Sequence, residues 1–465
     1  MKFDILVIGS GPGGYVAAIR AAQLGKNVAI VERESLGGIC LNWGCIPTKA
    51  LLKSAQVFQY INHAAEYGIE VKEARPDFNA IVKRSRTVAD GMSKGIQFLM
   101  KKNKIQVIMG LAKLLKDKSI EITDSTGKKE VHTADHIIIA TGGRAKQLPN
   151  LEIDGKNIID YRKAMVLDTI PKKMVVVGAG AIGVEFAYFY NTMGCEVSIV
   201  EFMEQGLVPR EDPDISKELT KSFKKLGIQV FANTSVEKVD KSKSGLLVKL
   251  KDRKDGKEST LECDVVLSAA GVTANIENIG LEDLGISTEK GLIKVDAFYQ
   301  TNVAGIYAIG DVTPGQALAH VASAEGIICV EAIAGHKPEP IDYNNIPGCT
   351  YCSPEIASVG YTELAAKAAG YDVLIGKFPF SASGKASAAG SKEGFVKLIF
   401  DKKYGELLGA HMIGMNVTEM IAEIVVARKL ETTGHELIRS IHPHPTMSEA
   451  IMEAAAAAYG EVIHL

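Results

Sequence analysis

One pattern occurs twice in this sequence and restricts what the chain can become. Asp4-Ile5-Leu6-Val7-Ile8 is an apolar run of buried-strand type, followed by Gly9-Ser10-Gly11-Pro12-Gly13-Gly14. Ala17, Ala18, Ala21, Ala22 and Leu24 recur at helical spacing before Gly25, and a second strand, Val28-Ala29-Ile30-Val31, ends at Glu32. Met174-Val175-Val176-Val177-Gly178-Ala179-Gly180-Ala181-Ile182-Gly183 repeats the opening, and Ser198-Ile199-Val200-Glu201 supplies its acid. In both copies the first glycine and the acid stand 23 residues apart. Each copy is the strand–GxGxxG–helix–strand–acid unit of a dinucleotide fold. Gly9 and Gly178 make the turn, and Gly11 and Gly180 admit a pyrophosphate. Gly14 and Gly183 let helix pack on strand, and Glu32 and Glu201 take ribose hydroxyls. A bare GxGxxG is weak evidence; the whole unit, twice, implies two dinucleotides and two sites. Glu201 would repel a 2′-phosphate and no arginine follows before Arg210, so the second site should prefer NAD over NADP.

The second informative stretch is Gly37-Gly38-Ile39-Cys40-Leu41-Asn42-Trp43-Gly44-Cys45-Ile46-Pro47-Thr48-Lys49. Pro47 suits the first turn of a helix, where a missing N–H costs nothing. Cys45 would then lie at or just before a helix N-terminus, where the dipole favours a thiolate, and Lys49 would add a positive charge on the same face. The two cysteines can close a small disulfide ring; taken alone they could also be unrelated buried thiols. Met1-Lys2-Phe3-Asp4 leads directly into a strand-like run, so no signal peptide is expected, and seven cysteines, an odd number in a chain of 465 residues, then argue against a structural disulfide framework. A reducing compartment follows, where any disulfide should be catalytic.

Charges nearly balance, with 53 basic and 55 acidic residues and no basic stripe, so nucleic acid is not an expected partner. No stretch reaches the length of a charge-free membrane span. Residues 50–102 read as helices with a loop near Arg75-Pro76-Asp77, and residues 105–133 as strands with turn chemistry at Asp124-Ser125-Thr126-Gly127. His136 to Gly143 is a further buried strand that should return to the first sheet. Gly305-Ile306-Tyr307-Ala308-Ile309-Gly310-Asp311 is a third glycine-ended strand, whose acid can hold the polyol of a flavin chain. Beyond Lys337-Pro338-Glu339-Pro340 the character changes to short strands, then helices, without a phosphate loop. His442-Pro443-His444-Pro445-Thr446-Met447-Ser448-Glu449 precedes an alanine-rich helix and could, by itself, be an ordinary helix cap. His411 reads as a core histidine. Cys349-Thr350-Tyr351-Cys352 reads as two structural thiols, because no second pair stands at zinc spacing.

Taken in order, these pieces resemble the flavin-dependent pyridine nucleotide-disulfide oxidoreductases along essentially the whole chain. The resemblance implies an α/β architecture of two Rossmann-like dinucleotide-binding domains, for FAD and NAD, plus a C-terminal α+β dimerisation domain. Its segments would be 1–145 (FAD, first part), 146–271 (NAD), 272–342 (FAD and central, second part) and 343–465 (interface). It implies FAD-dependent oxidation of protein-bound dihydrolipoamide with NAD through a Cys40–Cys45 redox disulfide, Cys45 next to the flavin and Cys40 facing substrate. His444 would be the base, held by Glu449, supplied by the other subunit of a homodimer across a cis His444–Pro445 bond. Lys49, Ala112, Thr141, Gly142, Asp311 and Ala319 would line the FAD site, with Lys49 pairing with Glu185. Glu185, Val236 and Gly271 would belong to the NAD side. The partner would be a lipoyl-bearing acyltransferase or a glycine-cleavage carrier protein, in a bacterial-type cytoplasm. Trp43 stands where the family usually has a small aliphatic residue, and residues 272–275 lack the arginine and proline often found after Gly271. Glutathione-type reductases would need arginines where Glu201 to Gln205 stand. Mercuric reductases would need cysteines near Leu465, and soluble transhydrogenases lack the cysteine pair.

Overall fold

The computed structural model describes residues 1–242 and 245–465. They cluster into two compact units. One comprises residues 1–50, 82–146 and 272–341, the other 51–81, 147–271 and 342–465.

In the first unit the strands Lys2–Ile8, Val28–Glu32 and Gln106–Met109 run parallel, with Lys2–Ile8 central to them and to Lys129–Ile139. The register Ile5↔Val28 and Ile5↔His136 returns residues 136–139 to the opening strand, as the sequence predicts. Ile306–Ala308 adds on the far side of Lys129–Ile139. Continuous apolar runs mark strands covered on both faces, and Ile5, Leu6, Val7, Ile30, Ile137, Ile138 and Ala308 are all buried. The N-terminal half of Lys129–Ile139 pairs instead with Ile120–Thr123 in a hairpin. Its turn is at Asp124, whose Oδ1 accepts from the Thr126 and Lys128 N–H groups. Helix Pro12–Gln23 lies against helix Ala319–Ile333 with almost no side chain between them. A Cβ at Gly326 would stand 2.8 Å from the Gly13 carbonyl oxygen.

In the second unit a parallel sheet follows the same logic, in the order Gln229–Phe231, Glu196–Val200, Lys173–Val177, Val265–Ser268, Ile158–Ile159. A three-stranded antiparallel sheet, Thr234–Lys241, Leu246–Asp252 and Glu258–Cys263, accounts for the strand-rich tail. The last quarter of the chain is an antiparallel sheet ordered Gly348–Thr350, Glu355–Gly360, Leu407–Gly414, Phe395–Asp401, Val373–Pro379, with helices Val417–Lys429 and Glu449–Tyr459. The short strand Gly348–Thr350 carries no alternation that the sequence could reveal. Phe395–Asp401 is buried along its whole length even though it contains Lys397. The Lys397 ammonium, 4% exposed, meets Asp212 Oδ1 at 3.0 Å, Asp214 Oδ2 at 3.2 Å and Glu363 Oε2 at 2.9 Å. A buried ammonium persists only when carboxylates compensate its lost hydration.

Candidate active site

At the first dinucleotide loop, Gly9 has φ +103°, and a Cβ there would stand 2.2 Å from the Ala140 carbonyl oxygen. A Cβ at Gly14 would stand 1.9 Å from the Gly9 carbonyl oxygen, so helix and turn touch backbone to backbone. At Gly11 a Cβ would meet nothing within 4 Å. Open space at the second glycine of such a loop is what lets a pyrophosphate come close to the backbone. Glu32 is buried at the end of its strand. Its Oε2 accepts from Ser10 N–H at 3.0 Å and Ser10 Oγ–H at 2.6 Å, and its Oε1 accepts from Glu34 N–H at 2.8 Å. These bonds fix the carboxylate at the loop and leave lone pairs for ribose hydroxyls.

The second loop repeats this nearly atom for atom. Gly178 has φ +100° and would place a Cβ 2.5 Å from the Ala269 oxygen; Gly183 would place one 1.9 Å from the Gly178 oxygen; Gly180 again faces open space. Glu201 accepts from Ala179 N–H at 2.7 Å and Met203 N–H at 2.8 Å. The residues present fit a dinucleotide at each loop. Gly271, with φ +107°, follows the strand beside the second loop, and Val236 is half-buried on Thr234–Lys241. Glu185 is buried on helix Ala181–Thr192, where its Oε1 accepts from Tyr351 N–H at 2.9 Å.

Around the first loop, Asp311 sits on the single turn Gly310–Val312 just after Ile306–Ala308. Burial pushes its carboxyl up from the ordinary range, so a polyol hydroxyl donating to it would favour ionisation. Ala319 is the first residue of its helix, and Ala112 is buried on Leu111–Leu114. Thr141 and Gly142 lie just past Lys129–Ile139. They are held by a partner the sequence did not single out for this purpose. Thr141 Oγ–H donates to Asn275 O at 2.6 Å, Asn275 Nδ2 donates back to Thr141 O at 3.0 Å, and Arg144 Nη1 donates to Asn275 Oδ1 at 3.0 Å. Arg144 also forks onto Glu277, whose carboxyl it holds down at about 2.

The cysteine segment is built directly on the first loop. Gly37 N–H donates to Ser10 O at 3.0 Å, and a Cβ on Gly38 (φ +60°) would lie 2.7 Å from Gly11 Cα. Cys45 begins helix Cys45–Asn62, as Pro47 predicts. Cys40 lies in a short helix, Gly38–Asn42, which is too brief to show periodicity. Both residues are thiols here, Cys40 half-buried and Cys45 exposed. A hydrogen bond with Cys45 and burial push the Cys40 thiol far up, while the Lys49 charge pulls the other way. Cys45, at the start of its helix, stands where the dipole favours a thiolate over a thiol.

His444 lies in the second unit after a cis His444–Pro445 bond. Its Nδ1 meets Glu449 Oε1 at 2.8 Å, while Glu449 Oε2 accepts from Thr446 N–H at 2.8 Å. Although partial burial opposes it, the Thr446 N–H and His444 hold the Glu449 carboxyl below its usual range. Glu449 is thus both the first residue of the final helix and the orienter of His444. With Nδ1–H donating to Glu449, Nε2 carries a free lone pair, and the side chain is 79% exposed. Two residues earlier, His442 is largely buried between Glu423 Oε1 at 2.8 Å and Ser440 O at 3.0 Å. The Glu423 hydrogen bond raises its pKa, against burial.

Four of the five remaining thiols are buried, and Cys349 is half-buried. Burial pushes Cys195 up to about 12 and Cys263 to about 11, and Cys329 is fully buried. Cys352 is buried with its Sγ 3.3 Å from Pro354 O. His411 is buried, its Nε2 2.9 Å from Tyr361 O. Among the described residues no His, Cys, Asp and Glu cluster could hold a metal ion, and no helix is long and apolar enough to cross a membrane.

A family model described as pyridine nucleotide-disulphide oxidoreductase matches residues 3–326, and the dimerisation domain of the same family matches residues 346–455. The dihydrolipoyl dehydrogenase of Rhizobium etli is 50% identical across 100% of this chain and 99% of its own length. That of Zymomonas mobilis is 49% identical across 99% of both. Among solved structures, LpdA from Mycobacterium tuberculosis superposes with a TM-score of 0.90 at 29% identity, covering 98% of this chain and 99% of LpdA.

Proposed function

This chain belongs to the pyridine nucleotide-disulphide oxidoreductase family, and on that premise we propose that it oxidises dihydrolipoamide to lipoamide at the expense of NAD, with Cys40 and Cys45 as its redox pair. The supporting observation is that the two thiols, close enough to hydrogen-bond, are seated on the first phosphate loop, Gly38 against Gly11. Gly9, Gly11, Gly14, Glu32, Lys49, Ala112, Thr141, Gly142, Asp311 and Ala319 are the candidates to hold FAD. Gly178, Gly180, Gly183, Glu185, Glu201, Val236 and Gly271 are the candidates for NAD. Bound FAD supplies the two-electron step that joins thiol oxidation to hydride acceptance by NAD.

The chain's own residues do the thiol chemistry. His444 Nε2 takes the proton of a substrate thiol, which ionises near pH 8.5 and needs a base at neutrality. Glu449 keeps the imidazole in the tautomer that leaves Nε2 free. The substrate thiolate attacks Cys40 Sγ of the oxidised pair; the Cys40–Cys45 bond breaks and Cys45 leaves as thiolate, where the helix N-terminus favours the charge. The second substrate thiol then attacks the mixed disulfide and displaces Cys40, which takes up that thiol's proton as the ring of lipoamide closes.

The match to a dimerisation domain supports pairing of two copies, and on this reading His444 serves the thiol pair of the second copy. The lipoyl group arrives on a carrier, an acyltransferase domain or a glycine-cleavage protein, in the cytoplasm. The test is NADH-linked reduction of lipoamide set beside NADPH and glutathione disulfide. Lipoamide with NADH should be faster by orders of magnitude; preference for NADPH and glutathione disulfide would overturn the assignment.

A further inference from the structure

Helix Phe78–Lys102 reaches the cysteine segment with two arginines. Arg84 Nη1 donates to Ala50 O at 2.8 Å, beyond the pair. Arg86 reaches the stretch of chain that joins the two cysteines. Its Nη1 donates to Asn42 O at 2.7 Å, and its guanidinium carbon lies 4.7 Å from the centroid of the Trp43 ring. Asn42 and Trp43 are two of the four residues inside the ring that a Cys40–Cys45 disulfide closes. Asn42 O is also the last carbonyl of the helix Gly38–Asn42, a group that a helix end leaves unsatisfied. The Asn42 side chain is already committed, donating to Leu36 O at 3.0 Å and Gly38 O at 2.9 Å. Burial lowers the Arg86 pKa, against the pull of Asp90, so the guanidinium is a partly desolvated cation whose hydrogen bond and stacking count for more than at an exposed surface.

We propose that Arg86 is a positioning residue for the redox pair, holding Asn42 and Trp43 so that Cys40 and Cys45 stay in ring-closing geometry. The inference rests on the proposed function only in taking those cysteines as a redox pair. Disulfide stability is set by the effective concentration of one thiol at the other, and that concentration depends on how narrowly the intervening chain is held. Trp43 supplies the flat face for the guanidinium. A small aliphatic residue there could not.

The experiment equilibrates the flavin-loaded protein anaerobically with mixtures of glutathione and glutathione disulfide. Each exchange reduces one glutathione disulfide to two glutathiones and converts the dithiol to the disulfide. After acid quenching and alkylation, mass spectrometry of the tryptic peptide 34–49 reads the ratio, since this peptide carries both cysteines and no others. Arg86→Gln should shift the equilibrium toward the dithiol by roughly tenfold, the low end of what one hydrogen bond to a charged group is worth. Trp43→Val should shift it less, and Trp43→Phe less still. Arg84→Gln breaks a similar bond from the same helix outside the ring and should leave the ratio within twofold. If Arg86→Gln also stays within twofold, or if Arg84→Gln shifts it equally, Arg86 has no specific hold on the pair. If the unsubstituted protein forms no disulfide in the peptide, the redox-pair reading itself fails.

Discussion

Gly183→Ala is a small substitution with a large expected consequence, confined to one of the two coenzymes. The added Cβ would stand 1.9 Å from the Gly178 carbonyl oxygen and 3.4 Å from Val176 Cγ1. A carbon needs roughly 3.3 Å from a carbonyl oxygen, so helix Ala181–Thr192 must retreat by well over 1 Å or the Gly178 peptide must rotate. Rotation is blocked behind, since Gly178 is left-handed and tight against Ala269 O. Forcing a methyl group into such a contact costs about 1–3 kcal/mol. The strain falls on the loop that approaches the pyrophosphate, so NADH affinity should drop roughly fivefold to hundredfold. Fluorescence titration with NADH measures that directly. Flavin content, read from the visible spectrum, and reduction of the flavin by dihydrolipoamide in a stopped-flow instrument should be unchanged. Gly14→Ala inserts the same methyl 1.9 Å from Gly9 O and should do the reverse, giving protein depleted of flavin. A Gly183→Ala protein that binds NADH like its parent, or that loses flavin, would refute the assignment of the two loops.

Replacing Cys45 by Ser should abolish lipoamide turnover while bound flavin still oxidises NADH with artificial acceptors; loss of both with flavin retained would contradict the division of labour. Glu449→Ala removes the acceptor of His444 Nδ1–H and should cut kcat about a hundredfold with KM for NAD unmoved. A rate within fivefold of the parent would release Glu449 from its orienting role. Lys397→Met leaves the fully buried Asp212 uncompensated and should cost about 3–5 kcal/mol in urea unfolding. The parent also has a pH dependence here. Lys367 and Lys397 hydrogen bonds hold Glu363 below its usual range, and Lys397 holds Asp214 down against burial. Groups with depressed folded pKa values stabilise above their unfolded pKa, about 4, and lose that stability as pH falls through the folded value. The acid limb of stability should therefore flatten in Lys397→Met, and an unchanged limb would discount the cluster.

Much of the site was legible because it depends on local backbone rules. Glycines at fixed offsets, an acid at the end of the second strand and a proline in the first turn after Cys45 each report a geometry the chain must adopt nearby. The Asp124 turn and the parallel return of residues 136–139 follow for the same reason. What stayed hidden depends on partners far away in sequence. Lys397 breaks the apolar pattern of its strand, and nothing nearby announces Asp212, Asp214 and Glu363. The Arg86 bond to Asn42 spans 44 residues, and Asn275 reaches Thr141 across 134. Cys40's short helix fell below the length at which periodicity exists.

The two phosphate loops close on contacts between main-chain atoms: Gly9 on Ala140, Gly14 on Gly9, Gly178 on Ala269, Gly183 on Gly178. Contacts of this kind do not register what the neighbouring side chains are. Substitutions among apolar residues of similar size can accumulate along both strands and both helices without loosening either turn, provided the glycines and the acid stay. Saturation mutagenesis should therefore show two superimposable combs of positions that accept no side chain, about 170 residues apart, set among buried positions that still accept other apolar residues of similar size. Aligning the two halves on general residue similarity would miss a kinship that aligning them on steric vacancy recovers.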